Sequence, residues 1–222
     1  MNQLGLPISL DSKMFLDNFF GNRQLLEFID QLNVDKASAE IYVYGDTGLG
    51  KTHLLQGAAL RALSDQHSAM YIDCYNSLPG HVLESIEQLN WISIDNIDAI
   101  NANQQDLFFD LYNRAKQARV SMLISGNDLP SELGVMKDLK TRLGLATIFQ
   151  LQTLNDELTM LVLNNQMIDR NLSIDSKVYE YLFKYYSRDV KVLLMAVDDL
   201  DKASLQAKQG ITIPFVKKTL RL

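Results

Sequence analysis

The eight residues Gly45-Asp46-Thr47-Gly48-Leu49-Gly50-Lys51-Thr52 constrain this chain more than any other stretch. They fulfil G-x-x-x-x-G-K-[ST] at every fixed position, and their flanks are the ones that pattern requires. Before them, Ile41-Tyr42-Val43-Tyr44 is β-branched and aromatic and reads as a buried strand. After them, Leu54, Leu55, Ala58, Ala59, Ala62 and Leu63 recur at three- and four-residue spacing, as on one side of a helix. A strand, a glycine-rich turn and a helix N-terminus aim backbone N–H groups and a helix dipole at one anion. Lys51 adds a point charge suited to β- and γ-phosphates, and the Thr52 hydroxyl is a ligand for Mg²⁺. The expected ligand is the phosphate chain of a nucleotide.

The surroundings alternate in the same way. Ala69–Cys74, Trp91–Ile94, Val120–Ser125 and Ile148–Leu151 are further strand candidates, separated by helical patterns at 81–89, 104–118 and 136–143. A turn and a short amphipathic helix precede them between Phe15 and Leu32. Such alternation predicts an α/β domain with a five-stranded parallel sheet covered on both faces. After Leu154 only helical patterns remain, at 156–170, 175–187, 189–208 and 214–220. The expected organisation is a tail over 1–12, a nucleotide-binding α/β core over 13–153 and a small all-helical lid over 154–222.

Four further residues bear on phosphate chemistry. Asp95 ends the strand Ile92-Ser93-Ile94 and supplies the carboxylate that a phosphate-binding loop needs for the magnesium shell. The next residue is Asn96, an amide that can orient water but cannot accept its proton, so slow or no intrinsic ATP turnover is expected. Asn127, leaving the fourth strand, is a candidate sensor of the γ-phosphate or of water. Arg142 lies on the helix before the fifth strand, from which an arginine could reach a neighbour's nucleotide; spacing alone leaves a solvated surface role equally open. His53, His67 and His81 show no metal-ligand spacing. Tyr179, Tyr181, Phe183, Tyr185 and Tyr186 are read as packing between lid helices.

Acidic residues outnumber basic ones 27 to 21 in the 222-residue chain, a net charge of −6. That balance opposes strong autonomous binding to DNA, because phosphate neutralisation supplies most of such affinity. The single cysteine, Cys74, gives no intramolecular disulfide, and no secretory or membrane-spanning run is present. A soluble cytoplasmic protein is the expectation.

Ile94-Asp95-Asn96-Ile97-Asp98, Phe109-Asp110-Leu111-Tyr112-Asn113-Arg114, Leu200-Asp201-Lys202-Ala203-Ser204 and Thr212-Ile213-Pro214-Phe215-Val216-Lys217 together carry a resemblance. Over nearly its whole length the chain resembles AAA+ proteins of the DnaA initiator clan, most of all their regulatory members. Gln3-Leu4-Gly5-Leu6-Pro7-Ile8 is similar to the hexapeptide by which replication proteins dock on the DNA polymerase III β sliding clamp. Leu6 and Ile8 would fill an apolar pocket, Pro7 would lower the ordering cost, and Gln3 and Leu4 would complete the contact. The resemblance implies an inhibitor of replication initiation that holds ADP and Mg²⁺, binds the clamp and stimulates hydrolysis of ATP bound to DnaA. It implies an arginine finger in trans at Arg142 and nucleotide contacts at Gly45 to Thr52, Asp95 and Asn127. The lid arginine of the family falls on Lys191, which offers one compact charge and no bidentate fork; Arg188, one turn earlier, is the alternative. The initiator continues past its lid into a DNA-reading domain and this chain stops at Leu222, so DNA contact is expected to be indirect, through the clamp. Two other readings stay open: an active AAA+ ATPase of helicase-loader or initiator type, and a bare clamp-tethered adaptor. Whether the chain forms a homodimer or larger oligomer is also open.

Overall fold

A computed structural model describes residues 10, 11, 13–35, 38–76, 78, 80–168, 170, 172 and 174–222. Chain contacts divide the molecule into two compact units, Met1–Gln152 and Thr153–Leu222.

The first unit is built on five strands: β1 (Glu40–Tyr44), β2 (Ala69–Asp73), β3 (Trp91–Asp95), β4 (Ser121–Gly126) and β5 (Thr147–Gln150). All neighbours are parallel, in the spatial order β2-β3-β4-β1-β5. The strand period of two sends alternate side chains to opposite faces. Ile41, Val43, Tyr71, Trp91 and Leu123 pack on one face with Leu25, Ile29, Leu54, Leu55, Ala58 and Ala62. Those partners come from helices α1 (Arg23–Asp35) and α2 (Lys51–Ser64). Tyr42, Ile92, Ile94, Met122 and Ile124 point the other way, onto Phe108, Leu111, Tyr112, Ala115, Leu139 and Leu143. That layer is formed by helices α3 (Gln105–Gln117) and α4 (Lys137–Leu143), with a 3-10 helix at Gly80–Gln88 adding Val82 and Ile86. The one polar residue inside β3, Ser93, is satisfied: it accepts from Trp91 Nε1 at 2.9 Å and donates to the Leu55 carbonyl at 2.7 Å.

Coverage is incomplete at one edge. β5 is largely exposed along its length, with Ile148 at 38% exposure, against the expectation of a sheet covered on both faces. The reason is position: β5 is an edge strand paired with β1, and it turns Phe149 inward against Phe28, ring centroids 5.7 Å apart.

Gly57, midway along α2, is where the chain entering the domain crosses the helix. A Cβ built there would lie 2.9 Å from both the Leu16 amide nitrogen and the Met14 carbonyl oxygen, backbone atoms that cannot rotate away. Alanine gains roughly 1 kcal/mol of helix propensity over glycine, but the overlap should outweigh it. Gly57→Ala is expected to lose about 1–2 kcal/mol net, read as a lower midpoint of denaturant unfolding.

The second unit contains four helices, α5 (Asp156–Ile168), α6 (Ser176–Tyr185), α7 (Val190–Ala207) and α8 (Ile213–Leu220). Side chains cap all four: Asn155 accepts from the Leu158 amide at 2.9 Å, Asp175 from Lys177, Asp189 from Val192 and Thr212 from Phe215, with Pro214 in the first turn of α8. Leu163, Met167, Val178, Tyr179, Leu182, Leu193, Val197, Leu200 and Val216 form their common core. Arg170 bridges to Asp201 at 3.3 Å and to Asp198, both on α7. The aromatic run of α6 is only partly internal. Tyr179 is buried, whereas Tyr185 is 56% exposed, stacked on Tyr181 with centroids 4.7 Å apart. Packing between helices therefore accounts for Tyr179 and not for Tyr185, which falls in the last turn of α6 where the inward stripe has ended.

Candidate nucleotide site

Gly45 follows β1 directly, and the loop turns through three glycines at φ of 151°, 95° and 85° for Gly45, Gly48 and Gly50. Backbone at positive φ is open to glycine and costly for most other residues. Space matters as well as φ: a Cβ at Gly50 would lie 3.1 Å from the Phe19 ring, and one at Gly45 would lie 2.9 Å from Leu49 Cδ1. Gly50 is the N-cap of α2 and has no side chain, so no cap competes for the first amides of the helix.

Lys51, the first residue of α2, is buried at 7% exposure. Its Nζ donates to the Gly45 carbonyl and, at 3.0 Å, to the Asp46 carbonyl. It is thus a buried cation held by neutral acceptors. Burial pulls its pKa down, while Asp98, Asp95, Asp46 and Asp128 push the other way and favour the charged form. A cation so placed fits an incoming phosphate, which would complete its pairing. Thr52 follows in the same turn, half-buried.

Asp95 is fully buried at the end of β3 and accepts three hydrogen bonds. Tyr71 Oη donates to its Oδ2 at 2.9 Å, Ser125 Oγ donates to its Oδ1, and the Asn96 amide donates to Oδ1 at 3.1 Å. Burial and the neighbouring carboxylate hold the Tyr71 phenol far above its ordinary pKa, so it remains a donor throughout the physiological range. Among the described residues no group of three or more histidines, cysteines or acids could hold a metal ion. A magnesium ion here would need phosphate oxygens among its ligands.

Asn127 is held by a residue that sequence reading gave no role. Its backbone amide donates to Asp98 Oδ1 at 3.0 Å and its Nδ2 to Asp98 Oδ2 at 2.6 Å. Asp98 sits in the 3-10 turn Ile97–Ala99 after β3 and heads the charges acting on Lys51. Its place, three residues past the strand-ending acid, was the available signal. Asp73, which ends β2 and accepts from Asn96 Nδ2 at 3.0 Å, was also missed. Lys51, Asp95 and Asn127 are therefore gathered at the carboxyl edge of the sheet, with Asp98 and Asp73 among them.

Arg142 lies at the opposite edge. The Tyr112 hydroxyl touches both Glu40 Oε2 at 3.0 Å and the Arg142 carbonyl at 3.1 Å. Glu40 opens β1 and Gly45 follows its end, so the two edges are separated by the length of the strand, about 15 Å at 3.3 Å per residue. The guanidinium is half-buried, 6.0 Å from the centre of the Phe109 ring. Lys191 and Arg188 belong to the helical unit, both exposed, and Arg188 pairs with Asp156 at 3.3 Å. Gln3, Leu4, Leu6, Pro7 and Ile8 lie outside the described residues. Cys74 is buried, and burial together with nearby carboxylates drives its thiol pKa up, away from reactivity. His53 contacts the Phe15 carbonyl and the Phe19 ring.

A parallel sheet in the order β2-β3-β4-β1-β5, a phosphate-binding loop after its interior strand β1 and a separate four-helix unit define an AAA+ nucleotide-binding fold. The comparisons carry this to a family. Residues 10–150 match the bacterial DnaA ATPase domain, and residues 156–220 match the lid domain of Hda. The chain belongs to the DnaA-related AAA+ family, with a lid of the Hda type. It is 37% identical to an uncharacterized protein of Haemophilus influenzae across 99% of both chains. Among solved structures, domain III of the Thermotoga maritima initiator DnaA superposes with a TM-score of 0.80 at 16% identity, covering 96% of this chain and 98% of that one. AMPPCP-bound DnaA from Aquifex aeolicus gives 0.72 at 20% identity, over 89% of this chain and 67% of that one. The Thermotoga maritima RuvB branch migration motor gives 0.72 at 16%, over 94% and 71%. Likenesses at that identity speak for the fold. The two family matches support a DnaA-related replication regulator. No helix among the described residues is long and apolar enough to cross a membrane.

Proposed function

We propose that this protein is a nucleotide-bound negative regulator of replication initiation that binds the β sliding clamp and stimulates hydrolysis of DnaA-bound ATP. The observation that carries the reading is the division of labour between the two edges of the sheet. The carboxyl edge holds a buried lysine, a glycine loop and a buried carboxylate, a set that suits the chain's own nucleotide. Arg142, a strand's length away at the other edge, is too far from that site to serve it and is free to serve another molecule's. The relative solved with AMPPCP supports a nucleotide at this fold's loop; the proposed resident nucleotide is ADP with Mg²⁺.

Within the chain, Lys51 and the loop amides would hold the phosphates, and Thr52 and Asp95 would complete the magnesium shell. Asn127, fixed by Asp98, would read the terminal phosphate or its water. Lys191 or Arg188 would supply a lid contact. Asn96 orients but takes no proton, so the bound nucleotide turns over slowly and acts as a structural cofactor. An arginine supplied in trans stabilises the charge that develops on a transferring phosphoryl group, which is the help a slow ATPase partner lacks. The peptide Gln3 to Ile8 would tether the protein to the clamp and, through it, to DNA, consistent with a net charge of −6.

Removal of Met1–Ile8 tests the tether. The shortened protein should lose retention on clamp-coated beads and keep its affinity for fluorescent mant-ADP. Unchanged clamp retention would overturn the peptide assignment.

A further inference from the structure

Asn96 follows Asp95 with its backbone in the left-handed region, φ 57° and ψ 49°, a conformation asparagine tolerates better than most residues. It is held at both ends. Its amide N–H faces Asp95 Oδ1 at 3.1 Å and Ser125 Oγ at 3.0 Å, and its Nδ2 donates to Asp73 Oδ1 at 3.0 Å. Asp73 is placed there by the sheet itself: the parallel register pairs it directly with Asp95. The carboxylate is also fixed by its own turn, in which Oδ1 accepts from the Tyr75 amide at 3.1 Å and the Asp73 carbonyl accepts from Asn76 at 2.9 Å. The acceptor is therefore oriented independently of Asn96, and the amide must conform to it.

We propose that Asp73 is a positioning residue of the nucleotide site: from the end of β2 it fixes the Asn96 amide, keeping a carboxylate one strand away from the position beside Asp95. This rests on the nucleotide-site reading above. A single change of Asn96 to an acid cannot convert the site, because two carboxylates about 3 Å apart repel, and one must swing away or take up a proton. Exchanging the two residues removes the conflict. Asp73→Asn with Asn96→Asp conserves volume and lets the pair bond again with the donor now on β2, at the cost of the bond that Asp73 Oδ1 accepts from the Tyr75 amide. The carboxylate then stands beside Asp95, where it can take the proton of a water. That water's oxygen bonds the γ-phosphorus as the bond from γ-phosphorus to the β–γ bridging oxygen breaks, leaving ADP and inorganic phosphate.

The test compares the wild-type chain, Asp73→Asn, Asn96→Asp and the exchanged double variant in three measurements: mant-ADP affinity, thermal midpoint, and single-turnover hydrolysis of ATP by the chain alone. Each single variant should lower the midpoint, and the double variant should regain part of the loss, falling short by the bond to the Tyr75 amide. The double variant should hydrolyse ATP at least about 10-fold faster than wild type, and faster than Asn96→Asp alone. Midpoint losses that simply add would overturn the pairing. A double variant that binds mant-ADP as wild type does, yet hydrolyses ATP no faster, would overturn the positioning role. Failure of the wild-type chain to bind mant-ADP would instead overturn the nucleotide-site reading, and the midpoint comparison would still judge the pair.

Discussion

Arg142→Ala should reduce stimulated hydrolysis of DnaA-bound ATP by on the order of 10³-fold, the scale on which trans-acting arginines accelerate phosphoryl transfer. The side chain has no structural duty that would explain so large a loss. Its guanidinium flanks the Phe109 ring and acts on the Tyr112 hydroxyl only through its charge, while α4 is held by buried Leu139 and Leu143 and by the Arg142 backbone carbonyl, all of which alanine keeps. Lysine at the same position should rescue little, since a compact ammonium cannot reproduce a planar fork of donors. Affinity of the variant for its own nucleotide should be unchanged, because Arg142 and the phosphate loop lie at opposite edges of the sheet. Radiolabelled ATP retained on DnaA after incubation with DNA-loaded clamp and each variant is the readout. Stimulation that survives the alanine change would leave the chain a tether and not a hydrolysis activator.

The second large effect is expected at Lys51. Lys51→Ala should weaken nucleotide binding by about 100-fold, which corresponds to the roughly 1.5–3 kcal/mol carried by a charge-assisted hydrogen bond. The wild-type lysine is already turned inward and desolvated, with two loop carbonyls to exchange for phosphate oxygens. Little ordering is left for binding to impose. Thermal unfolding separates this from misfolding. ADP at 100 times its dissociation constant should stabilise the wild-type protein by about 2.7 kcal/mol and the variant hardly at all. The nucleotide-free midpoint should move little, because alanine removes a desolvated cation along with its bonds. A variant that keeps the full ADP-induced shift would contradict the assignment of the phosphate site.

Much of this molecule was legible before any coordinates. The strands stood out because four of the five are short, largely apolar and buried runs, β-branched and aromatic in β1, and the helices because their apolar positions recur at 3.6-residue spacing. The phosphate loop was legible because its chemistry is local, with glycines, lysine and threonine in one short stretch. What escaped is non-local. Asp98 and Asp73 gain meaning only when register and turn bring them against Asn127 and Asn96; the one local hint is the place of Asp98, three residues past Asp95. The same holds for Tyr71, whose hydroxyl crosses from β2 to Asp95 on β3. The exposure of β5 was missed because an edge strand and a central one can share a composition; strand order decides which faces solvent. Tyr185 was misread for a related reason: a cluster in sequence becomes a cluster in the core only while the helix that carries it continues.

The most direct measurement is the lifetime of ATP on DnaA in the presence of DNA-loaded sliding clamp, with and without this protein carrying ADP. The lifetime should shorten only when clamp, DNA and protein are present together, and the protein alone should release almost no phosphate from ATP. An unchanged lifetime in the complete mixture, or rapid ATP turnover by this protein without DnaA, would contradict the proposed function.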